Sequence, residues 1–290
     1  MSQAGAAGRP PSAAAAAPGR AGPGEEPLPA GAFDSHCHLD MIKRPVADVV
    51  ADARAAGIAR VITVGCDLPS SRWAADCAAE HDGVYAAVAV HPNETSAAAA
   101  MPGGTATALA EIGSLAALPQ VRAVGETGLD YYRDWADPSL QRDWFRAHIA
   151  IAKAAGKALM IHDRDAHDDV LRLLDEEGAP EHVVFHCFSG DEAMAKRCAA
   201  AGYVMSFAGN VTFANARQLR DAAAAAPAEA ILVETDAPFL TPAPHRGKPN
   251  TPAKAAHTVR FIAEVKQLDV AELCAAIAAT GERVFGRWQP

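Results

Sequence analysis

The feature that most constrains this chain is a repeat of form. From residue 31 onward, short apolar, β-branched runs alternate with Ala-rich stretches of helical character, and each run ends in polar or glycine-containing residues. The runs are AFDSHCH (32–38), RVITVGC (60–66), VYAAVAVHP (84–92), VRAVGETGLD (121–130), KALMIHDR (157–164), HVVFHCFSG (182–190), YVMSFAGN (203–210) and AILVETDAP (230–238). Helix-like segments include 47–56, 70–81, 138–155, 166–177, 191–201 and 215–226, with 252–267 and 269–279 closing the series. Strands that alternate with helices predict parallel βαβ units. Runs without in–out alternation fit strands buried on both faces. Eight units in about 260 residues match an α/β fold of the (β/α)8 TIM-barrel type better than an open doubly wound sheet. No GxGxxG follows the first run, which weakens the dinucleotide-binding alternative further.

The first 30 residues follow a different rule. They are rich in Ala, Gly and Pro and nearly devoid of large apolar side chains, so they bury too little surface to offset the entropy of ordering. We expect a disordered tail over 1–30 and one folded domain over 31–290. Pro10, Pro11 and Pro18 flank the AAAAA run, and Leu and Val are missing there, which argues against a signal peptide. No apolar run approaches the roughly 20 residues that span a bilayer. The six cysteines are scattered without a CxxC pair, which fits a reducing, cytoplasmic setting. The net charge of −9 provides no global field for nucleic acid, so a polyanion has to be met by local basic groups or by bound cations.

A barrel of this type builds its active site from the loops at the C-terminal ends of the strands. The polar residues comply: His36 and His38 end the first run, His91 the third, Glu126 the fourth, His162 the fifth, His186 the sixth and Asp236 the eighth. Residues two apart on a strand share a face, so His36 and His38 converge while Cys37, and by the same argument Cys187, turn away. His36, His38, Glu126, His162, His186 and Asp236 are therefore the expected ligands of one or two divalent ions, Zn, Mn, Co or Mg. Glu126 is the natural link between two ions, because a carboxylate has two oxygens. Asp34 and Asp40 are expected to orient the imidazoles. His81, His148, His167, His182 and His257 lie on helices or at strand starts and read as structural, as do Trp73, Trp135, Trp144 and Trp288 as packing residues.

The blocks DSHCHLD, VAVHP, GETGLDYYR, IHDRDA, FHCFSG and ETDAPFLTP, followed by HRGKPNTP, resemble in order and spacing the signatures of the TatD family of metal-dependent deoxyribonucleases, amidohydrolase-like TIM-barrel hydrolases. The resemblance spans roughly 32–288. It implies two divalent ions, with Mg or Mn in use and Zn possible as bound. His36, His38 and Asp236 would hold one ion, His162 and His186 the other, and Glu126 would bridge. Glu126 stands where many amidohydrolases carry a carboxylated lysine.

The chemistry that the resemblance implies is hydrolysis of DNA phosphodiester bonds, on single-stranded ends, by a metal-activated water. Asp236 and Glu126 are the expected catalytic carboxylates, with Asp236 taking the proton of the water. His91, Arg164, Arg246, Lys248 and Asn250 are candidate substrate contacts, the last three with His245 in the basic PHRGKPN loop. Arg164 suits a bidentate phosphate contact. Tyr131, Tyr132 and Arg133 either stack on bases or pack their loop. The same site would serve a carboxyl-ester hydrolase such as a D-aminoacyl-tRNA deacylase, with tRNA as substrate. A metal-binding protein without turnover fits least, because a candidate base is present. Nothing calls for a membrane or an obligate protein partner.

Overall fold

In the computed structural model, which describes residues 26–29 and 31–287, every apolar run becomes a strand. In chain order these are β1 (Ala32–Cys37), β2 (Ile58–Val64), β3 (Val84–Val88), β4 (Val121–Asp130), β5 (Ala158–Arg164), β6 (Val183–Phe185), β7 (Val204–Phe207) and β8 (Ile231–Val233). They form one eight-stranded parallel sheet in sequential order, β1 to β8. Around it run α1 (Val46–Ala55), α2 (Leu68–Glu80), α3 (Thr95–Ala99), α4 (Gly104–Ala116) and α5 (Pro138–Ala155). The ring continues with α6 (His167–Glu177), α7 (Glu192–Ala200), α8 (Arg217–Ala225), α9 (Ala255–Lys266) and α10 (Val270–Phe285). The fold is the TIM barrel that the strand–helix alternation predicts.

Helix α5 shows how the pattern is enforced. Pro138 occupies its first turn, and the Asp137 carboxylate accepts from the Ser139 N–H, a cap that satisfies a donor with no partner inside the helix. Gln141, Trp144, Phe145, His148, Ile149 and Ala152 are buried, the three-and-four spacing of one helix face. Helix α4 is absent from the expected set. Its Gly- and Thr-rich sequence carries a weak apolar stripe, Ala108, Ile112 and Ala116, and no side chain caps its start.

Two boundaries differ from the sequence reading. β6 stops at Phe185 and β8 at Val233, so His186 and Asp236 sit in the loops just beyond their strands. β4 instead runs on to Asp130, and Glu126 lies inside it, where a register shift between Val124 and Thr127 interrupts the pairing with β5. At the other end, Leu28 is buried and its N–H donates to the Ala56 carbonyl (3.0 Å). The folded unit therefore reaches back through Leu28, the one large apolar residue in that stretch. The remainder of the expected tail, residues 1–25 and 30, and the expected packing of Trp288 lie outside the described residues.

The barrel closes between β1 and β8 by a seam rather than a full ladder. Cys37 bridges Ala237, the His38 N–H donates to the Ala237 carbonyl (2.7 Å) and the Asp236 N–H to the His36 carbonyl (2.9 Å). Deeper in, the buried Asp34 carboxylate accepts from the Thr235 N–H (2.9 Å) and the Thr235 hydroxyl (2.5 Å). Ser35 Oγ lies 2.7 Å from Ser206 Oγ and donates to the Val233 carbonyl at 3.2 Å. The seam thus fixes His36, His38 and Asp236 relative to one another.

Candidate metal centre

His36 and His38 converge as period-two geometry requires, with their Nε2 atoms 3.3 Å apart. Cys37 between them faces the barrel wall, its thiol directed at the Ile62 carbonyl (3.5 Å). Asp236 Oδ1 stands 3.8 Å from His36 Nε2 and 3.5 Å from His38 Nε2, and Glu126 Oε1 is 3.9 and 3.7 Å from the same atoms. His186 Nε2 meets Glu126 Oε2 at 2.7 Å, and His162 Nδ1 meets it at 3.3 Å. His91, which ends the third run, joins from the side with its Nε2 3.9 Å from Glu126 Oε2.

In all of these rings one nitrogen points at the carboxylates while the other is held from outside. His38 Nδ1 is bound by the Val64 carbonyl (3.1 Å), His186 Nδ1 by Glu234 Oε1 (3.2 Å), and His162 Nε2 by Asp130 Oδ2 (3.3 Å). His91 Nδ1 accepts from the Asn93 N–H (3.0 Å), and His36 Nδ1 rests on Met160 Sδ (3.2 Å). Fixing the outer nitrogen selects the tautomer: where it donates outward, as at His38, the inner lone pair is aimed inward, the usual support of a metal-ligating imidazole, whereas His91, whose Nδ1 accepts, turns an N–H inward. Donor atoms of His36, His38 and Glu126, of His91, Glu126 and His162, and of His36, His186 and Glu234 lie within 4.8 Å of one another in each group. The second oxygen of Glu234 is buried without a hydrogen-bond partner, a costly state for a carboxylate unless a cation faces it. This donor set, nitrogen-rich with bridging-capable carboxylates, fits borderline divalent ions.

Local packing supports the geometry. Gly128 has φ +138, and a Cβ there would lie 2.1 Å from the His162 carbonyl oxygen, so only glycine lets β4 approach β5 closely enough to set His162 beside Glu126. His148, buried on α5, sits 3.0 Å from the Thr127 hydroxyl and 2.9 Å from the Trp144 carbonyl through Nδ1, and its Nε2 accepts from the Val90 N–H (3.3 Å). It braces β3 and β4 from behind, and burial lowers its pKa to about 4.

The electrostatics are those of a cluster that shares protons. Burial works against charge on His38, but the Asp236 hydrogen bond and the Glu126 charge outweigh it and raise its pKa to about 9. Burial, with the neighbouring His186, holds His36 well below the imidazole range. Burial and the adjacent His162 push His91 down to about 3. For Glu126, burial is outweighed by the surrounding histidines, His186 foremost, and its carboxyl is driven well below the carboxylate range.

Other expected residues fall in different places. Arg164 is exposed on the mouth, its guanidinium 3.7 Å from the centre of the Tyr132 ring. Arg246 lies over Phe213 (3.9 Å), and Lys248 faces a separate pocket with His245, Lys254, His257 and Arg260. Asn250 is buried, and its amide donates to the carbonyls of Thr235 (2.9 Å) and Phe239. It anchors the loop instead of facing the mouth, because a turn that leaves a strand this sharply needs its carbonyls satisfied from within. Asp34 orients the backbone of His36 and Thr235, whereas Asp40 is exposed and bonds to neither imidazole. Tyr131 packs its loop, donating to Asp169 (2.7 Å).

The expectation for Cys187 is corrected. The strand ends before it, its φ is +42, and it lines the mouth, so period-two geometry does not apply there. Trp135, expected to pack, is 59% exposed and also lines the mouth. Three site residues escaped the sequence reading: Asp130, Glu234 and Cys66, whose thiol donates to Glu126 Oε1 (3.3 Å). Asp130 and Glu234 stand four residues after and two residues before an expected ligand, a signal that was available. Cys66 ends its run just as the histidines end theirs.

Comparison with known proteins identifies the family. Residues 33–286 match the family model described as TatD related DNase. The chain is 45% identical over 264 residues to the uncharacterized metal-dependent hydrolase TatD of Mycobacterium tuberculosis, covering 87% of this chain and 97% of that protein. It is 37% identical to the uncharacterized metal-dependent hydrolase YabD of Bacillus subtilis, covering 87% and 98%. Among solved structures, the TatD homologue YjjV of Escherichia coli superimposes with a TM-score of 0.80 at 26% identity, covering 88% of this chain and 98% of that one.

Proposed function

The chain belongs to the TatD family of metal-dependent hydrolases, and from that membership we propose that it hydrolyses phosphodiester bonds of DNA from single-stranded ends. The observation that carries the reading is the convergence of the inward nitrogens of His36, His38, His91, His162 and His186 on Glu126. In this reading His36, His38 and Asp236 would hold one divalent cation and His162 and His186 a second, with Glu126 able to serve both. Mg or Mn is the working metal, and Zn is compatible with the imidazoles. The cations would polarise the phosphoryl oxygens, make an attacking water acidic and steady the leaving oxygen.

The chain's own groups do the rest. Asp236 has the more open carboxylate, with 15% of its side chain exposed against 5% for Glu126, so it meets incoming water and takes its proton. The left-handed backbone at Asp236 (φ +51) turns that carboxylate off β8 toward the two imidazoles of β1. Arg164 at the rim is placed to take a phosphate through its planar guanidinium. His91, kept neutral by burial and accepting from the Asn93 N–H at Nδ1, carries its proton on Nε2 and donates there, which suits it to a water or a phosphate oxygen beside Glu126.

None of the six cysteines forms a disulfide, in keeping with our placing the protein in a reducing compartment, the cytoplasm. No described helix is long and apolar enough to cross a membrane.

The test is metal-loaded protein incubated with labelled single-stranded DNA, double-stranded DNA and D-aminoacyl-tRNA in parallel, with Asp236→Asn as control. We expect shortening of the single strand that the Asp236→Asn protein does not support. Intact DNA with a deacylated tRNA would replace the nuclease reading by ester hydrolysis at the same site. Full activity and two bound metals in a Glu126→Ala protein would remove the bridged pair.

A further inference from the structure

Six large apolar side chains are exposed among the described residues; Trp73 (36%) and Met101 (39%) do not line the cavity over the metal-ligand cluster, whereas the other four, the most exposed of the set, gather at its mouth. Met41 (42%), Trp135 (59%) and Phe239 (51%) all line the cavity above the metal-ligand cluster, a space of about 590 Å³. Tyr132 (60%) is tied to Trp135 through Arg133, whose guanidinium lies 5.7 Å from the Tyr132 ring centre and 4.6 Å from that of Trp135. Arg164 covers the Tyr132 ring at 3.7 Å. The planar groups therefore alternate as Arg164, Tyr132, Arg133, Trp135, ending on an open indole. Phe239 comes from the other side of the mouth, after β8, with its ring 6.1 Å from that of His38. Exposed apolar surface gathered at one place marks a binding site. Interleaved arginines point to a ligand that is both flat and anionic.

Resting on the phosphodiesterase reading, we propose that this rim is a nucleobase clamp. Trp135 and Phe239 stack on unpaired bases at the end of a single strand, while Arg133 and Arg164 meet the adjoining phosphates. The π-face of any base satisfies such a platform, so it selects for unstacked ends and not for sequence. A paired duplex end has its bases already stacked and cannot insert them on both rings. The arginines also answer the charge problem. With a net charge of −9, the chain needs local cations at the place where the strand enters. The required feature, an unpaired terminal base, belongs equally to a DNA 3′ or 5′ end and to the acceptor end of a tRNA.

The clamp is tested by binding, separately from turnover. Fluorescein-labelled single strands with phosphorothioate linkages are titrated with the Mg-loaded protein and followed by anisotropy, as deoxy and as ribo strands. Each is made with normal nucleosides and with the two terminal positions at both ends abasic. Wild-type protein should bind the base-bearing strand about tenfold or more tightly than the abasic one. Trp135→Ala/Phe239→Ala should bind both about equally, and Trp135→Phe should regain most of the difference. Preference for deoxy or ribo strands identifies the source of the end. The proposal is overturned if the double variant binds the base-bearing strand as wild type does, or if it loses affinity for both strands alike. Hydrolysis of bis(p-nitrophenyl) phosphate by the same preparation reports on the metal centre. A wild type that binds in a base-dependent way but cleaves neither this ester nor DNA leaves the clamp standing and removes the nuclease reading.

Discussion

Replacing Thr235 by Val tests whether the β1–β8 seam, and not the ladder of β-strands alone, holds the metal-ligand cluster in place. Thr235 is fully buried, and its hydroxyl does two things. It donates to the Asp34 carboxylate at 2.5 Å and accepts from the Ala237 N–H at 3.2 Å. Valine keeps the shape and removes both. An acceptor of carboxylate type left short of a donor in the interior costs about 1.5–3 kcal/mol, and an N–H left without an acceptor costs about 1 more. The additional buried methyl returns roughly 0.8 kcal/mol. The net loss is about 2–3 kcal/mol, inside the roughly 5–15 kcal/mol that a domain has to spare, so the variant should still fold. For a domain of this size that corresponds to a fall in Tm of about 4–12 °C. Urea unfolding followed by far-UV circular dichroism measures the loss directly, with Thr235→Ser as the control. Serine keeps the hydroxyl and sheds only a methyl, so it should recover more than half of the deficit. Because Asp236 is the next residue, the Val protein should also bind divalent metal more weakly. A Val protein as stable as wild type, or a Ser protein that falls as far as Val, would refute the account of the seam.

Asp130→Asn loosens the outer hold on His162 without touching the inner nitrogen, and should weaken metal affinity by about 10–100-fold, read by competition against a chelating dye. Gly128→Ala should destabilise by about 2–5 kcal/mol, since the added Cβ meets the His162 carbonyl at 2.1 Å and φ is +138; a folded variant of wild-type Tm would show that β4 and β5 can part. The His167–Asp163 pair (2.7 Å) raises the pKa of His167 through that hydrogen bond. Its contribution is therefore complete below the unfolded imidazole pKa of about 6.5 and disappears as pH rises through the higher folded value. His167→Gln should cost about 1 kcal/mol at pH 5.5, because the Asp163 carboxylate that faces the imidazolium is buried, and less at pH 9, with the difference in urea midpoint as readout.

How much of this was legible beforehand follows from which interactions are local. The strands announced themselves because a parallel strand covered on both faces has to be apolar along its length, and the barrel followed from counting them. His36 and His38 were readable as a pair because alternation on a strand is a rigid rule. The rule failed at Cys187, where the strand stops two residues earlier and the backbone turns left-handed; sequence period has no authority in a loop. Trp135 misled for a related reason. Tryptophan is usually buried for its area, and nothing in DYYRDWAD says that the loop carrying it runs along the rim of a cavity. Asn250 and Asp130 expose the harder limit. Each is a polar residue beside a functional motif, yet one secures a loop from inside and the other steers an imidazole. Their roles depend on partners 15 and 32 residues away in sequence. Glu234 makes the same point from the opposite direction: its neighbours in AILVETDAP suggest only a strand end, while its bond to His186, 48 residues back, makes it part of the site. Ligands at strand ends can be read because the fold aligns them. The groups that aim those ligands are chosen by side-chain geometry across neighbouring strands, and only the folded barrel brings that geometry into being.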